Sequence, residues 1–108
     1  MLLSIDIDAV DALADGAPFG QVGPYERITG IAHGEIDPDH PANRGIALLA
    51  QAPRNTRGRV EYSTGVYILR PRDAARGSGR LLYEVNNRGR KMLFSTLADA
   101  PAGVNDPR

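Results

Sequence analysis

Apolar and polar residues alternate with a period of two over three stretches of this 108-residue chain, a pattern that predicts strands buried on one face. In the first, Leu3, Ile5 and Ile7 alternate with Ser4, Asp6 and Asp8. In the second, from Tyr25 to Ile36, one face carries Ile28, Gly30, Ala32, Gly34 and Ile36, and the other Arg27, Thr29, Ile31, His33 and Glu35. Small residues repeated on one face predict that another backbone or strand lies close to it. The third and clearest runs from Arg59 to Arg70, with Val60, Tyr62, Thr64, Val66 and Ile68 opposite Arg59, Glu61 and Ser63. Burying four of those side chains would stabilise by about 1.5–3 kcal/mol each before entropy is subtracted. Gly65 suggests a bulge, and Pro71, which lacks a donor, is expected to end the pairing.

A fourth stretch organises the rest. Arg80-Leu81-Leu82-Tyr83-Glu84-Val85-Asn86 reads as an apolar strand that enters the turn Asn87-Arg88-Gly89, and Lys91–Ala98 then reads as a helix. A strand, a glycine turn and a helix start leave backbone N–H groups unpaired and facing outward, which suits negative charge. Asn87, Arg88 and Gly89 are therefore the candidate site residues. Between these elements, Asp15–Gly20, Gly23-Pro24, Asp37–Asn43, Pro53–Gly58 and Asp73–Gly79 read as turns or loops. Ile46–Ala50 is a short apolar piece of undetermined type, and Pro101 and Pro107 mark an irregular tail. Strands followed by a strand–turn–helix predict the α/β class, as the mostly β N-terminal portion of an α/β sheet, and 108 residues leave room for one small domain or for part of a larger one.

Composition narrows the function classes. Leu, Ile, Val and Phe make 25 of 108 residues, above the level of a disordered chain. Acids and bases balance at 13 each, but unevenly. Residues 1–53 carry eight acids against Arg27 and Arg44; residues 54–91 carry ten bases against Glu61, Asp73 and Glu84. Two parts of one sheet neutralising each other would account for this. The alternative is a small β-rich module binding nucleic acid or another polyanion through the basic 54–91 segment. Against that, Arg54, Arg57, Arg72 and Arg76 fall in turns, and only Tyr62, Tyr67 and Tyr83 are placed to stack on bases, so nucleic acid is the less favoured partner. The absence of cysteine excludes disulfides and thiolate catalysis. Residues 1–8 have neither a basic n-region nor a continuous apolar core, so no signal peptide is read, and no run approaches the ~18 apolar residues of a membrane span. A soluble, cytoplasmic protein is expected.

The turn at 87–89 carries the strongest chemistry. Its backbone N–H groups suit an oxyanion, a role in which one donor is worth about 2.7–4 kcal/mol of transition-state stabilisation; an ordinary turn capped by Asn, with Gly at positive φ, is the plainer alternative. His33-Gly34 has the form of a lipase oxyanion loop, but the alternation passes straight through it, so His33 reads as a strand residue. Asp37, Asp39 and His40 share one loop that could ligate a metal, though metal sites draw ligands from several elements; no metal or cofactor is expected. The G-x-S-x-G elbow is missing around Ser78, and both histidines precede Ser63, Ser78 and Ser95, the reverse of the Ser–acid–His order. There is no phosphate-binding glycine motif either.

Several motifs occur in order along the chain. Phe19-Gly20 is followed by Gly23-Pro24-Tyr25-Glu26-Arg27-Ile28-Thr29-Gly30, then by Asp37-Pro38, Pro41-Ala42-Asn43, Ala52-Pro53-Arg54-Asn55 and Gly58-Arg59-Val60. Ile68-Leu69-Arg70-Pro71, Leu81-Leu82-Tyr83-Glu84-Val85, Asn87-Arg88-Gly89 and Asn105-Asp106-Pro107-Arg108 complete the series. Together they resemble the N-terminal segment of a family of large bacterial "alpha/beta hydrolase domain-containing" proteins. The resemblance implies that Arg59–Pro71 and Arg80–Asn86 are early strands of a hydrolase sheet. It also implies that Asn87-Arg88-Gly89 holds the oxyanion-loop position and that Lys91–Ala98 begins the first helix. It implies a serine-type, esterase-like activity on a small-molecule ester, with no organic cofactor. The nucleophile, acid and histidine would come from the remainder of the hydrolase domain, so residues 1–108 would not be catalytically complete and would leave a sheet edge and an apolar face uncovered.

Overall fold

The structure, a computed structural model, describes residues 1–97, 99–101, 103, 105 and 106. Its strands are β1 (Leu2–Ala12), β2 (Pro18–Phe19), β3 (Gly23–Ile36) and β4 (Val60–Pro71); α1 (Leu93–Leu97) is the α-helix among the described residues. The strands form an antiparallel sheet in the order β1-β3-β2, with β4 also paired to β3. In the β2–β3 pair, Pro18 faces Pro24 and Phe19 faces Gly23.

This architecture corrects the α/β expectation: the fold is mostly β. A parallel sheet needs crossover connections of a dozen or more residues, usually helical, whereas α1 has five residues. The three alternating stretches were rightly placed, but antiparallel partners satisfy them without a helical crossover among the described residues. The expected strand over Arg80–Asn86 is also corrected. Those residues run without bend or turn but join no ladder among the described residues, because alternation supplies a strand's faces and not its partner. The expected helix over 91–98 shrinks to α1; Lys91 and Met92 precede it, and Ala98 lies outside the described residues, as do Pro107 and Arg108. Five short 3-10 turns lie between the strands and before the helix among the described residues: Leu13–Gly16, Gly20–Val22, Pro41–Asn43, Leu49–Gln51 and Ala74–Arg76.

The chain divides into two compact units. The first comprises Met1–Val10 and Ile28–Ile68. In it the small-residue face of β3 is buried at Ile28, Gly30, Ala32 and Gly34, as the alternation predicts. The reason is close approach. A Cβ on Gly30 would meet the β1 backbone, with the Asp6 carbonyl carbon and the Ile7 Cα both at 3.1 Å, and a Cβ on Gly34 would meet the Tyr62 ring, with Cε1 at 2.6 Å. The expected face of β4 is less well covered: Val60, Tyr62 and Val66 are half-buried, and Thr64 and Ile68 are exposed. Leu3, Ile5 and Ile7 of β1 are also exposed, so most of the burial energy expected of these faces is not realised among the described residues.

The second unit comprises Asp11–Arg27 and Leu69–Arg108. Phe94 of α1 is its buried apolar side chain. The rings of Phe19 and Tyr25 meet edge to face, with centroids 5.5 Å apart, a favoured aromatic geometry. Pro71 does not stop the pairing: it belongs to β4, and the next amide, Arg72 N–H, donates to the Pro24 carbonyl at 2.9 Å.

Candidate functional site

Asn87 and Arg90 form an isolated antiparallel bridge, and the Arg90 N–H donates to the Asn87 carbonyl at 3.1 Å. Between them Arg88 and Gly89 have φ of 54° and 75°. Two central residues at positive φ are the mark of a type I′ hairpin turn. The sequence places a glycine at positive φ here; it gives no sign that Arg88 also takes the left-handed region, which costs a residue with a Cβ about 1–2 kcal/mol. Asn87, Arg88 and Gly89 are all exposed.

The backbone beyond the turn is held by side chains. The Glu84 carboxylate accepts from the Met92 N–H (2.7 Å) and the Leu93 N–H (3.1 Å). Asn105 accepts from the Lys91 N–H (3.0 Å) and donates to the Gly89 carbonyl (2.9 Å). The amides of residues 90–93 are therefore engaged within the chain. Those of Arg88 and Gly89 show no hydrogen bond among the described residues. The corner thus carries two backbone donors, on Arg88 and Gly89, that have no partner among the described residues. In contact with water such a donor contributes about 0.5–1.5 kcal/mol net, against the 2.7–4 kcal/mol of an enclosed oxyanion donor. Enclosure by further protein is what would make it a catalytic feature.

The other candidates have different roles. His33 lies in β3, its Nε2 3.2 Å from the Asp6 carboxylate. Ser95 Oγ donates to the Met92 carbonyl (3.1 Å), Ser78 Oγ accepts from the Arg80 N–H (3.3 Å), and among the described residues no serine bonds to a histidine. In the 37–43 loop, Asp37 accepts from the Asp39 N–H (3.0 Å), and His40 Nδ1 accepts from the Ala42 N–H (3.2 Å), capping a 3-10 turn. These side chains build the loop, and among the described residues no three His, Asp or Glu side chains gather as metal ligands. An open concavity of about 370 Å³ lies beside this loop, lined by Met1, Ile36, Asp37, His40, Asn43 and Arg59.

Within the first unit, basic residues of the 54–91 segment meet acids of the first half. Arg54 donates to both oxygens of Asp39, at 2.8 and 3.2 Å. Glu35, only 3% exposed, accepts from Arg57 Nη2 at 2.6 Å and Nε at 3.1 Å, and Arg59 Nε lies 3.5 Å away. The Arg57 guanidinium holds the Glu35 carboxyl below its ordinary range, against the upward push of burial. Asn55 ties the group together. Its Oδ1 accepts from the N–H groups of Arg57 (3.0 Å) and Arg59 (3.1 Å), and its Nδ2 donates to Glu35 (3.3 Å) and Glu61 (2.9 Å). In the second unit, Arg70 donates to Glu26 at 2.6 Å, and Arg76 donates to the Gln21 carbonyl.

Sequence reasoning missed Glu35, Asn55 and Glu84. Glu35 looked like the solvent face of a strand, and its burial depends on arginines about twenty positions away. Glu84 is eight and nine residues ahead of the two amides it holds, outside the range of any local capping pattern. No helix of the described residues is long and apolar enough to cross a membrane. Compared with known protein families, with curated proteins and with solved structures, the chain matches none of them.

Proposed function

We propose that this chain contributes the β scaffold and the 87–89 turn of a cytoplasmic, serine-dependent ester hydrolase. The amides of Arg88 and Gly89 would be donors to the oxyanion formed when serine attacks the ester carbonyl. The carrying observation is the pair of amides, Arg88 and Gly89, without a partner among the described residues, on a turn bonded by Asn105 and followed by amides already engaged by Glu84. The ordered motifs from Phe19-Gly20 to Asn87-Arg88-Gly89 support the same reading. Since this sequence has no G-x-S-x-G elbow and both histidines precede Ser63, Ser78 and Ser95, the nucleophile, acid and histidine of such a hydrolase would come from further polypeptide, which would also enclose the turn.

The test is to express the whole open reading frame containing these residues and treat it with a fluorophosphonate, which reacts covalently with activated serines. The expected result is one labelled serine beyond residue 97, with loss of ester hydrolysis on labelling. Gly89→Ala, which keeps the N–H but strains its positive φ and so misaligns the donor, should lower kcat by up to about 10²–10³, the cost of losing one oxyanion donor altogether. A product with no labelled serine, or one whose kcat ignores Gly89→Ala, overturns the reading. The polyanion reading has less support, because Arg54, Arg57, Arg59 and Arg70 already face carboxylates.

A further inference from the structure

We propose that residues 80–84 pair as an antiparallel strand with the same residues of a second copy, in a two-fold register centred on Leu82. This stretch runs without bend or turn and joins no ladder among the described residues, and Leu81, Leu82, Tyr83 and Val85 are 90, 63, 79 and 79% exposed. A stretch with unpaired N–H and C=O groups and apolar side chains is a template for another strand. Its alternation places Leu81, Tyr83 and Val85 on one side and Arg80, Leu82 and Glu84 on the other.

Charge selects both the occupant and the register. Centred on Leu82, two antiparallel copies set Arg80 opposite Glu84 twice and Leu81 opposite Tyr83 twice, both favourable cross-strand pairings. Centred on Tyr83, Arg80 faces Asn86 and Glu84 faces Leu82, so neither charge is matched. Centred between Leu82 and Tyr83, Arg80 faces Val85 and Glu84 faces Leu81. The edge of β1 is a poorer candidate for self-pairing, because Asp6 and Asp8 would bring like charges together. Arg80 makes no ion pair among the described residues. Glu84 holds two amides, yet a carboxylate has about four acceptor positions. A contact of this length is far smaller than the roughly 1,600 Å² of a standard interface, so association should be weak and depend on concentration. The proposal does not rest on the hydrolase reading, since a strand has two edges and only one is used here.

The test exploits the absence of cysteine from the chain. Leu82→Cys and Val85→Cys are prepared and oxidised separately at several protein concentrations, with circular dichroism confirming that each is folded like the parent. In the Leu82 register the two position-82 residues face each other at a separation a disulfide can span, about 4.4–6.8 Å between Cα atoms. The two position-85 residues lie about 20 Å apart along the strands. The expected result is that Leu82→Cys forms a disulfide-linked dimer at least ten times faster than Val85→Cys, more so at higher concentration, and that adding Arg80→Glu slows it. Equal cross-linking by both variants, faster cross-linking at 85, or no dimer from Leu82→Cys overturns the proposal.

Discussion

The ring of Tyr62 in β4 lies directly over Gly34 in β3, leaving no room for a methyl group: a Cβ there would stand 2.6 Å from Tyr62 Cε1, with Cζ and the phenolic oxygen nearer still. Gly34→Ala should therefore destabilise the chain by about 1–3 kcal/mol, the usual cost of overpacking. The cost should shrink when Tyr62→Ala is added. A double-mutant cycle from urea unfolding measures the coupling; an additive pair would show that the ring does not occupy that space.

Gly30 meets backbone instead of a side chain. Its Cβ would face the Asp6 carbonyl group, with the Ile7 Cα at 3.1 Å, and backbone in a ladder has less room to move than a ring. Gly30→Ala should destabilise at least as much as Gly34→Ala, and no side-chain truncation in β1 should rescue it. Urea midpoints of Gly30→Ala alone and combined with Ile7→Ala check this.

Acid should loosen the 53–59 loop. The ordinary values are 4.5 for Glu35 and 3.8 for Asp39, and both are lowered in the folded chain, mainly by hydrogen bonds from Arg57 and Arg54. The unfolded state binds more protons than the folded state between the two values of each group. These carboxylates thus contribute stability that is fully present above the unfolded value and is lost as pH falls through the folded one. Hydrogen exchange at the Asn55 amide, which donates to the Arg59 carbonyl at 2.8 Å, should lose protection below about pH 4.5, after correction for intrinsic exchange. Glu35→Gln should lower the protection at neutral pH and flatten the dependence.

The turn at 88–89 makes opposite forecasts for adjacent residues. Arg88→Asn should stabilise by about 0.5–1 kcal/mol, because Asn-Gly is the preferred pair of a type I′ turn and Asn tolerates the left-handed region. Gly89→Ala, at φ 75°, should destabilise by about 1 kcal/mol. Chemical-denaturation midpoints of the two variants give the comparison, and shifts of the same sign would contradict this turn geometry.

The legible part of the fold was whatever a period of two could encode. Ile28, Gly30, Ala32 and Gly34 share a face in the sequence and are buried together in β3, and the small residues announced the close approach of Asp6 and Tyr62. Alternation says nothing about the partner of a strand or its direction. Arg80–Asn86 accordingly looked like a strand of an α/β sheet but joins no ladder among the described residues, and antiparallel pairing of β1, β3 and β4 had no local signal. Of the candidate site, the glycine at positive φ was readable; the strained Arg88, the reach of Glu84 to Met92 and Leu93, and the burial of Glu35 beneath Arg57 depend on contacts between distant positions.

Asn55 holds its loop with both ends of one amide, the oxygen receiving Arg57 and Arg59 and the nitrogen reaching Glu35 and Glu61. Slow hydrolysis of that amide to aspartate would leave nearly every atom in place. The oxygen could still receive the two loop N–H groups, but the nitrogen's position would become anionic between two existing carboxylates. Chemical ageing of a single side chain would thus turn the loop's fastening into a source of repulsion.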